Sequence, residues 1–488
     1  MRNSILGLLC LLALPAWADK VVLLQDAIKS SQARADFITT AKNEITAQYF
    51  TIDNDHASLV TLSLLKDAAK RGVQVRLIVD SMNNFITRET VAALVSSLEP
   101  EKAKFFQIRV YNRFNLFRPF CYTKRMHDKG LIIDGNTMIS GGRNIANGYF
   151  QLLNRNESGK LLPVFEDTDI LVTESDSIQM AKKYFYDLWN SNMVSPIELY
   201  EFSAKSLNQI SCSDRDNFHG CQQNREFNVK RVQEEENKFT EVLEQFHNNT
   251  LGLARAGASI NWQSKSIEIG KIQFLHDEIE TNLCKENKAE NNIASQLYDV
   301  IRKKAQVSVT IVTPYLVVTP EQKELFQTLI DRNVHVRIIT NSRSSNDVPF
   351  AQAGAELTVP EIVAMGVDVL EFRGPDTLHA KMVLIDRKIV FIGSFNWDFR
   401  SQNLNREVGV VFELPADNKN EFTYDLMQKF NLIVKKTNIL RLDNKKIKLA
   451  ELTDEEIDEL TLQNEHRASK NDTHKSIIKM FPSIIKQF

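Results

Sequence analysis

The pattern of apolar and polar residues predicts a strand, a helix and a second strand near the start of each half of the chain. In the first half, residues 45–52 and 73–79 are rich in apolar and β-branched residues, which is typical of strands. Residues 58–71 between them have the spacing of an amphipathic helix. Alternating strands and helices favour an α/β fold, with a largely parallel or mixed sheet and helices on its faces. The corresponding segments of the second half are 307–313, 320–332 and 334–339.

A sequence motif also occurs twice. It consists of His-x-Lys, four further residues and Asp, followed after a short apolar run by a glycine-led segment that ends in Asn. Composition predicts roughly 0.04 accidental copies of the His, Lys and Asp spacing, so two copies indicate an internal duplication. Alternate residues of a strand point to the same face, and His and Lys of each copy are therefore predicted to face one site. The residues are His127, Lys129, Asp134 and Asn144 in the first copy and His379, Lys381, Asp386 and Asn396 in the second.

The duplication predicts two similar α/β halves, each with a mixed β-sheet flanked by helices, that meet at one shared active site. Each motif Asp lies where a strand meets a turn, so turn and ion-pair roles are an alternative to a catalytic one. Between the halves the pattern loosens into polar segments and a charged helical run, which is typical of a connecting region. The predicted boundaries are a signal peptide at 1–18, a first half at 19–198, a connecting region at 199–290, a second half at 291–435 and a polar tail with an apolar end at 436–488.

Composition and charge agree with a folded globular protein. The 488 residues are 43% hydrophobic and 25% charged, which is enough to form a sizeable core. The formal net charge is -2, so the chain has no overall attraction for a polyanion. A polyanion would have to be met by a local basic patch, so the net charge does not decide the substrate, and nucleic acid is not the partner that we expect.

The first residues have the order of a secretory signal peptide. Arg2 supplies the charged start, residues 5–14 are apolar, and Ala16 and Ala18 are the small residues of a cleavage site. Cleavage after Ala18 predicts an exported protein that is periplasmic, membrane-peripheral or secreted. The alternative is an N-terminal anchor that is not cleaved, although the apolar run is short for a membrane span.

Four cysteines follow the predicted signal peptide and would enter a compartment in which disulfides form. We favour a bond between Cys212 and Cys221, which would close a small polar loop, and free buried thiols are the alternative. None of the Cys and His spacings resembles a zinc site. The four cysteines are Cys121, Cys212, Cys221 and Cys284.

Two further segments have alternative interpretations. Residues 111–125 interleave aromatic residues with arginine and lysine. This composition suits a membrane interface, where rings lie at the level of the headgroups and cations meet lipid phosphates. The same rings would otherwise pack on the domain core. Residues 476–488 are apolar with interspersed lysines, and they either lie at a membrane surface or dock on the protein.

Two imidazoles, two ammonium groups and two amides directed at one point fit the cleavage of a phosphodiester. The chain offers no carboxylate cluster for Mg2+ and no Gly-rich nucleotide loop, so neither a metal nor another cofactor is expected. One histidine would attack phosphorus and form a phosphohistidine. The other would protonate the leaving alcohol and then deprotonate the incoming water or alcohol. The lysines and asparagines would neutralise the non-bridging oxygens.

A nucleophilic histidine also needs a carboxylate that fixes its second ring nitrogen. After each motif an acidic residue begins an apolar strand. We expect Asp167 to orient His127 and Glu407 to orient His379. Asp169, two residues after Asp167, is the alternative in the first half.

In these residues the chain resembles the phospholipase D superfamily, which is defined by two His-x-Lys-x4-Asp motifs. It is most similar to the bacterial cardiolipin synthases of the type C branch. The similarity extends from about Val22 to Phe430, and the region between the halves matches only loosely. The most specific stretches are 125–129 (RMHDK), 141–145 (GGRNI), 340–348 (TNSRSSNDV) and 392–396 (IGSFN).

The resemblance implies a fold and a reaction. It implies two α/β halves with mixed sheets and the transfer of a phosphatidyl group through a phosphohistidine. The substrates it implies are phospholipids at a membrane surface, with phosphatidylethanolamine as donor and phosphatidylglycerol as acceptor. It also favours His127 over His379 as the nucleophile. Whether an accessory protein takes part is left open.

Three other functions remain as alternatives. With water as acceptor, the same chemistry would make the protein an exported phospholipase D that releases phosphatidic acid. A nuclease of the same superfamily is disfavoured by the nearly neutral overall charge and by the aromatic stretch. An inactive scaffold or membrane-binding protein is disfavoured because His, Lys and Asn are intact in both copies.

Overall fold

The protein is built around two nine-stranded β-sheets that pack against each other and carry helices on their outer faces. The described residues of this computed structural model are 19–82, 84, 86–117, 119–152, 164–197, 218–248, 260–279, 290–416, 420–443 and 446–450. The predicted signal peptide and the C-terminal apolar segment lie outside these residues, and so does Cys212, which places the predicted Cys212 to Cys221 bond outside the described part of the chain. Cys121 is disulfide-bonded.

The strands are numbered in chain order. They are β1 (Asp19–Leu24), β2 (Glu44–Tyr49), β3 (Gln74–Asp80), β4 (Phe106–Tyr111), β5 (Lys129–Ile133), β6 (Thr137–Gly141), β7 (Phe165–Glu166), β8 (Asp169–Thr173), β9 (Val194–Pro196), β10 (Ile267–Ile269), β11 (Gln273–His276), β12 (Ser308–Val312), β13 (His335–Asn341), β14 (Asp368–Phe372), β15 (Thr377–Leu378), β16 (Met382–Ile385), β17 (Ile389–Gly393), β18 (Val408–Glu413), β19 (Thr437–Asp443) and β20 (Lys446–Ala450).

The helices are numbered in the same way. They are α1 (Ala27–Thr40), α2 (His56–Lys70), α3 (Arg88–Ser96), α4 (Pro100–Ala103), α5 (Asp176–Trp189), α6 (Phe218–His247), α7 (Trp262–Lys265), α8 (Ile293–Lys304), α9 (Pro320–Asp331), α10 (Pro349–Ala364), α11 (Phe399–Asn403) and α12 (Glu421–Val434). Two short 3-10 helices are Pro119–Thr123 and Asn147–Phe150.

The two sheets have the same topology, which confirms the predicted α/β fold with two similar halves. The first sheet has the order β10-β1-β8-β6-β5-β2-β3-β4-β9 and the second has the order β11-β18-β17-β16-β12-β13-β14-β19-β20. Eight strands correspond one to one, from β1 to β9 in the order of the first sheet and from β11 to β19 in the order of the second. Both sheets are mixed, since β2 and β3 pair in parallel whereas β2 and β5 are antiparallel, and β12 repeats this with β13 and β16.

The elements expected from the apolar pattern form close to their predicted positions. The helix expected at 58–71 is α2, which begins earlier because the side chain of Asp55 accepts the backbone N–H of Ser58. The helix expected at 320–332 is α9, which has Thr319 and Gln322 as a capping box. The strand expected at 45–52 is shorter, because β2 ends at Tyr49.

A central apolar core lies between the sheets and two further cores lie under the outer helices. Alternate side chains of β16 separate these cores, as the pleat of a strand requires. Met382 and Leu384 pack with residues of the first sheet, whereas Val383 and Ile385 pack with the helices of the second half. The central core therefore joins the two halves into one body, and the first residues of the motif strands lie at this junction.

The connecting region and the tail contribute more to the sheets than their polar sequence suggests. β10 and β11, from the predicted connecting region, are edge strands of the first and second sheets. β19 and β20, from 437–450, extend the second sheet beyond its predicted end at 435. Apolar residues of α6, including Phe239 and Phe246, pack on the core of the first half. Within the described part of the chain, none of the helices combines the length and apolar character needed to cross a bilayer.

Candidate active site

His127 is held by a carboxylate from the second half of the chain. Its Nδ1 atom lies 2.9 and 3.0 Å from the two carboxylate oxygens of Glu407. The backbone fixes this pairing, because the N–H of His127 donates to the carbonyl of Arg406 at 2.9 Å. Met126 and Arg406 also form an isolated parallel bridge. Both partners are buried, with exposures of 6% for His127 and 0% for Glu407.

His379 is held in the same way by a carboxylate from the first half. Its Nδ1 lies 2.6 Å from Oδ2 of Asp167, and its N–H donates to the carbonyl of Glu166 at 2.8 Å. The expected pairing of Asp167 with His127 and of Glu407 with His379 is therefore wrong. Just before its histidine, each motif pairs with the segment that precedes the carboxylate of the opposite half, as the parallel pair of β7 and β15 shows. Because each motif pairs with the opposite half, Asp167 contacts His379 and Glu407 contacts His127.

Asp169, the alternative to Asp167, belongs to a buried ion cluster of the first half. Its Oδ2 accepts a hydrogen bond from the hydroxyl of Ser30 at 2.7 Å. The same oxygen lies 3.0 Å from Arg34 and 3.2 Å from Arg143. Arg143 immediately precedes the Asn of the first motif, so this cluster fixes the backbone of the glycine-led segment instead of orienting a histidine.

The carboxylates determine which ring nitrogen of each histidine can react. Glu407 accepts further hydrogen bonds from the hydroxyls of Ser394 and Ser401 at 2.5 and 2.6 Å. Asp167 accepts one from the N–H of Thr168 at 2.7 Å. A carboxylate beside Nδ1 places the ring proton there, so Nε2 of the neutral ring carries the lone pair. Nε2 is therefore the atom that can attack phosphorus or move a proton.

Lys129 and Lys381 bring two buried ammonium groups to the same site. Each donates to the carbonyl of the histidine two residues earlier, at 2.6 Å for Lys129 and 2.5 Å for Lys381. Nζ of Lys381 also lies 2.8 Å from Nδ1 and 3.1 Å from Nε2 of His379. Nδ1 cannot donate to Asp167 and accept from Lys381 at once, and the shorter contact identifies the carboxylate as its partner.

Burial and mutual repulsion lower the pKa values of the histidines and lysines. Burial, and after it the neighbouring lysines, hold the pKa values of His127 and His379 well below their usual range. Burial and then Lys381 lower the pKa of Lys129 well below its usual value. Burial lowers the pKa of Lys381 to about 8, although the two buried carboxylates raise it. The groups of one motif lower the pKa values of groups in the other motif, so the two histidines and two lysines share one site. An anionic phosphate would stabilise the charged forms of these four groups.

Asn144 and Asn396 lie near the histidine of the opposite motif. Nδ2 of Asn144 donates to the hydroxyl of Tyr149 at 2.9 Å, and the ring of Tyr149 lies 5.1 Å from that of His379. The N–H of Asn396 donates to a serine hydroxyl that in turn donates to Glu407. Oδ1 of Asn396 is buried without a hydrogen-bond partner among the described residues. Such an unsatisfied group fits a site that takes a polar ligand.

Asp134 and Asp386 do not join this site, and the expectation that they are catalytic is wrong. Asp134 accepts three backbone N–H groups from residues 42–44 at 2.7 to 3.0 Å. Asp386 accepts three from residues 306–308 at 2.8 to 2.9 Å. Both follow the motif strand at its far end, with φ of +50°. They fix the start of the neighbouring strand to the turn, which explains their shared spacing without a chemical role.

Sequence reasoning missed the aromatic residues around His379. The centroid of its imidazole lies 5.1 Å from that of Tyr149, 5.2 Å from that of Phe165 and 6.5 Å from that of Tyr315. Tyr149 and Phe165 flank functional residues in the sequence, and that proximity is a signal that could have identified them. Tyr315 follows β12 and carries no local signal.

Near the first motif, the loop after β4 exposes apolar side chains. Phe114, Leu116 and Phe117 are 60%, 77% and 92% exposed. Arg113 beside them is also exposed. The second interpretation of this aromatic stretch was packing on the core. It applies to Tyr111, which is 1% exposed, and not to these three residues.

Comparisons with known proteins agree with the duplicated fold. A family model described as "Cardiolipin synthase, PLD-like domain" matches residues 35–189 and 299–434. Cardiolipin synthase C of Escherichia coli (strain K12) is 26% identical over 418 residues, which cover 80% of this chain and 80% of that protein. The crystal structure of phosphatidylserine synthase from Haemophilus influenzae Rd KW20 superimposes with a TM-score of 0.59 at 16% identity, covering 96% of this chain and 94% of that one. This last similarity supports the fold alone.

Proposed function

The chain belongs to the cardiolipin synthase, PLD-like domain family of the phospholipase D superfamily, and from that premise we propose that it is a metal-independent phosphatidyltransferase of the cardiolipin synthase kind. Its substrates are glycerophospholipids. The single observation that supports this best is the pair of buried imidazoles, each with Nδ1 on a carboxylate of the opposite half and each beside a buried lysine. That set matches the needs of phosphoryl transfer, which are a nucleophile, a proton donor and cations for the phosphate oxygens.

In the proposed first step, Nε2 of His127 attacks phosphorus of the donor lipid. The bond between phosphorus and the headgroup oxygen breaks, and His379 in its protonated form gives the proton of its Nε2 to the leaving alcohol. Lys129 and Lys381 neutralise the non-bridging oxygens. The anionic phosphate favours this protonated form, because it offsets the repulsion that lowers the pKa of His379 in the free site.

In the second step, an acceptor alcohol attacks phosphorus of the phosphohistidine. His379 takes the proton of that alcohol, and the bond between phosphorus and His127 breaks. With the hydroxyl of phosphatidylglycerol as acceptor the product is cardiolipin. With water the product is phosphatidic acid, so the alternative of a phospholipase D differs only in the acceptor.

The proposed partner surface is a phospholipid membrane. Phe114, Leu116 and Phe117 form an exposed apolar group on the loop that leads from β4 toward the first motif. Insertion of these side chains would remove apolar area from water, and Arg113 would remain at the level of the lipid phosphates. The active site would then lie next to the layer that holds its substrate.

Export remains part of the proposal. β1 begins at Asp19, directly after the proposed cleavage at Ala18. Asp19 is 7% exposed, and its carboxylate accepts the N–H of Ile272. Cleavage at Ala18 would therefore keep every described residue of β1. Edman sequencing of the mature protein from its native host should begin at Asp19, and a chain that retains Arg2 would contradict export with cleavage.

The function is tested with purified protein lacking residues 1–18. It is given phosphatidylethanolamine with phosphatidylglycerol, each lipid alone, or DNA, always in EDTA, and the products are resolved by mass spectrometry. Cardiolipin is the expected product. Phosphatidic acid as the sole lipid product would make the protein a phospholipase D, and nicked DNA with no lipid product would overturn the proposal in favour of a nuclease. Activity that appears only in a parallel reaction without EDTA would contradict metal independence.

A further inference from the structure

Asp128 lies between His127 and Lys129 in the first motif, and its side chain meets helix α5 instead of the other site residues. Asp128 is 0% exposed, and its Oδ2 accepts a hydrogen bond from the hydroxyl of Tyr184 at 2.7 Å. Its Oδ1 has no hydrogen-bond partner among the described residues. The second motif has Ala380 in the same place, which is also buried. A buried carboxylate at this position therefore occurs in one motif only.

The hydroxyl of Tyr184 joins this carboxylate to the second half of the chain. Tyr184 lies on α5 and is 2% exposed. Its hydroxyl donates to Asp128 and accepts a hydrogen bond from Nε of Arg406 at 3.4 Å. The guanidinium carbon of Arg406 lies 5.9 Å from the centroid of the tyrosine ring. Since a hydroxyl can donate one hydrogen bond and accept another, the three side chains form one continuous chain.

This chain of side chains ends beside the carboxylate that orients His127. Arg406 immediately precedes Glu407, and its carbonyl accepts the N–H of His127 at 2.9 Å. The hydrogen bonds therefore close a circuit, which runs from the backbone of His127 through Arg406 and Tyr184 to Asp128, the next residue in the sequence. The imidazole and its carboxylate are both attached to this circuit. Such supporting contacts fix the geometry of the residues that they hold.

A residue of the predicted connecting region holds Glu407 from another side. Oδ2 of Asp277 accepts the N–H of Glu407 at 2.8 Å, and its Oδ1 accepts the N–H of Ile293, at the start of α8, at 3.1 Å. The carbonyl of Asp277 accepts a hydrogen bond from Nη2 of Arg406 at 3.3 Å. The arginine is thus fixed by the connecting region as well as by the two halves.

The carboxylate of the other histidine has a different support. The residue before Asp167 is Glu166, and its carboxylate pairs with the ammonium group of Lys429 on α12. Nζ of Lys429 also lies 3.3 Å from the carbonyl oxygen of Asp167. This support does not involve the side chain that follows His379, because that residue is Ala380. The circuit through Asp128 therefore acts on one of the two histidines.

We propose that Asp128, Tyr184 and Arg406 are positioning residues, which hold the imidazole of the first motif on its carboxylate. Burial raises the pKa of Asp128 to about 7, although Tyr184 and Arg406 lower it. Burial thus opposes the charge of Asp128, and the carboxylate contributes more to the order of this part of the site than to stability. The inference rests on the proposed function, in which Nε2 of His127 must lie in line with the bond that breaks. A displacement of about 1 Å can slow such a reaction roughly a hundredfold.

Nitrogen NMR of labelled histidine in the free protein tests the positioning without turnover. In Tyr184→Phe, which removes the hydroxyl and keeps the ring, the Nδ1–H signal of His127 should broaden, because the circuit is open, and the signal of His379 should stay unchanged. Tyr298→Phe is the matched control. Tyr298 is a 4% exposed tyrosine of α8 whose hydroxyl also has two hydrogen-bond partners, Gln322 and Gln402. Its loss should leave both histidine signals unchanged.

Turnover provides the second readout. In Tyr184→Phe, kcat should fall about tenfold or more and KM should stay constant, because the chain positions the imidazole and does not touch the lipid. Tyr298→Phe should keep the kcat of the wild type. Asp128→Asn, which retains an acceptor for the tyrosine hydroxyl and loses the charge, should lower kcat by a smaller factor. It carries the same test if Tyr184→Phe does not fold.

The two readouts separate this inference from the proposed function. If the wild type turns over lipids while Tyr184→Phe and Asp128→Asn match the control in kcat and in the His127 signal, the positioning role is refuted and the function stands. If the His127 signal broadens in Tyr184→Phe but the wild type turns over no lipid, the function fails and the positioning role stands.

Discussion

Nδ1 of His379 lies 2.6 Å from Oδ2 of Asp167, and these two residues belong to opposite halves of the chain. Glu407 and His127 form the reciprocal contact. Each half therefore supplies one imidazole of the candidate site and the carboxylate that fixes the imidazole of the other half. The site depends on the packing of the halves as well as on the motifs.

The crossed contacts predict which histidine responds to the loss of each carboxylate. In Asp167→Asn the amide can donate to Nδ1 of His379 and so favour the wrong tautomer, whereas His127 keeps its partner. Turnover should fall about a hundredfold or more. Nitrogen NMR of labelled histidine should show a changed tautomer for His379 alone, and the matched variant Glu407→Gln should change His127 alone. The opposite assignment would contradict the crossing.

The proposed nucleophile can be identified directly. Incubation with a donor lipid and no acceptor, followed by quenching in alkali, should leave a phosphatidyl group on a peptide that contains His127. His127→Ala should abolish both turnover and labelling. Recovery of the label on the peptide that contains His379 would reverse the two roles.

The alkaline side of the pH profile should report Lys381. Burial lowers its pKa to about 8, so its ammonium group is charged below that pH and neutral above it. Because kcat/KM reports groups of the free enzyme, it should fall as pH rises through about 8. Vesicle sedimentation over the same range serves as the control, since it should not follow this titration. If kcat/KM stays level up to about pH 10, where an ordinary lysine titrates, a group other than Lys381 supplies the positive charge that the reaction needs.

Asp386→Asn should affect stability and leave the chemistry unchanged. Asparagine tolerates the left-handed backbone at φ +50° but accepts the three N–H groups less well than a carboxylate. We expect a loss of about 1–2 kcal/mol in the free energy of unfolding at pH 7. Thermal unfolding measures this loss, and kcat of the folded variant should match the wild type. If kcat of Asp386→Asn falls as far as kcat of a variant of a motif lysine, Asp386 is part of the active site.

The same carboxylate predicts how this loss depends on pH. Burial raises the pKa of Asp386, but the three N–H donors outweigh it and lower the pKa overall. A depressed folded-state pKa stabilises the protein at pH values above the unfolded pKa, which is about 4, and the contribution disappears as pH falls through the folded value. The difference in Tm between variant and wild type should therefore shrink on acidification from pH 7 toward 3.

The exposed loop predicts membrane binding. Replacing Leu116 and Phe117 by serine should weaken binding to anionic phospholipid vesicles by roughly tenfold or more, because both side chains lose apolar area for insertion. Tyr424→Ser is the matched control, since Tyr424 is a 63% exposed aromatic residue of α12. Thermal stability of both variants should be nearly the same as that of the wild type. Equal vesicle binding by the loop variant and wild type would exclude this loop as the contact.

The periodic apolar pattern and the repeated motif were sufficient to predict the duplicated α/β fold and the set of His, Lys and Asn residues that meet. The pairing of the carboxylates was not predictable in this way. Asp167 and Glu407 occupy equivalent places after their motifs, and only the docking of one half on the other decides which imidazole each one meets.

Other features depend on contacts between distant segments. The spacing of Asp134 and Asp386 recurs because each holds a neighbouring strand. A spacing that is repeated within the chain cannot by itself distinguish this structural role from catalysis. Asp347 and Tyr315 meet across loops 32 residues apart. The polar segment 340–348 was noticed in the sequence, but nothing local predicts this contact.

The bridges from Met126 to Arg406 and from Leu378 to Glu166 also bear on when this protein becomes active during its synthesis. A ribosome completes His127 long before it reaches Glu407, so the emerging N-terminal portion has an imidazole with no anchored tautomer. The proposed reaction must therefore wait until translation has passed position 407 and both portions have assembled. A nascent or truncated polypeptide that lacks position 407 therefore has no complete site.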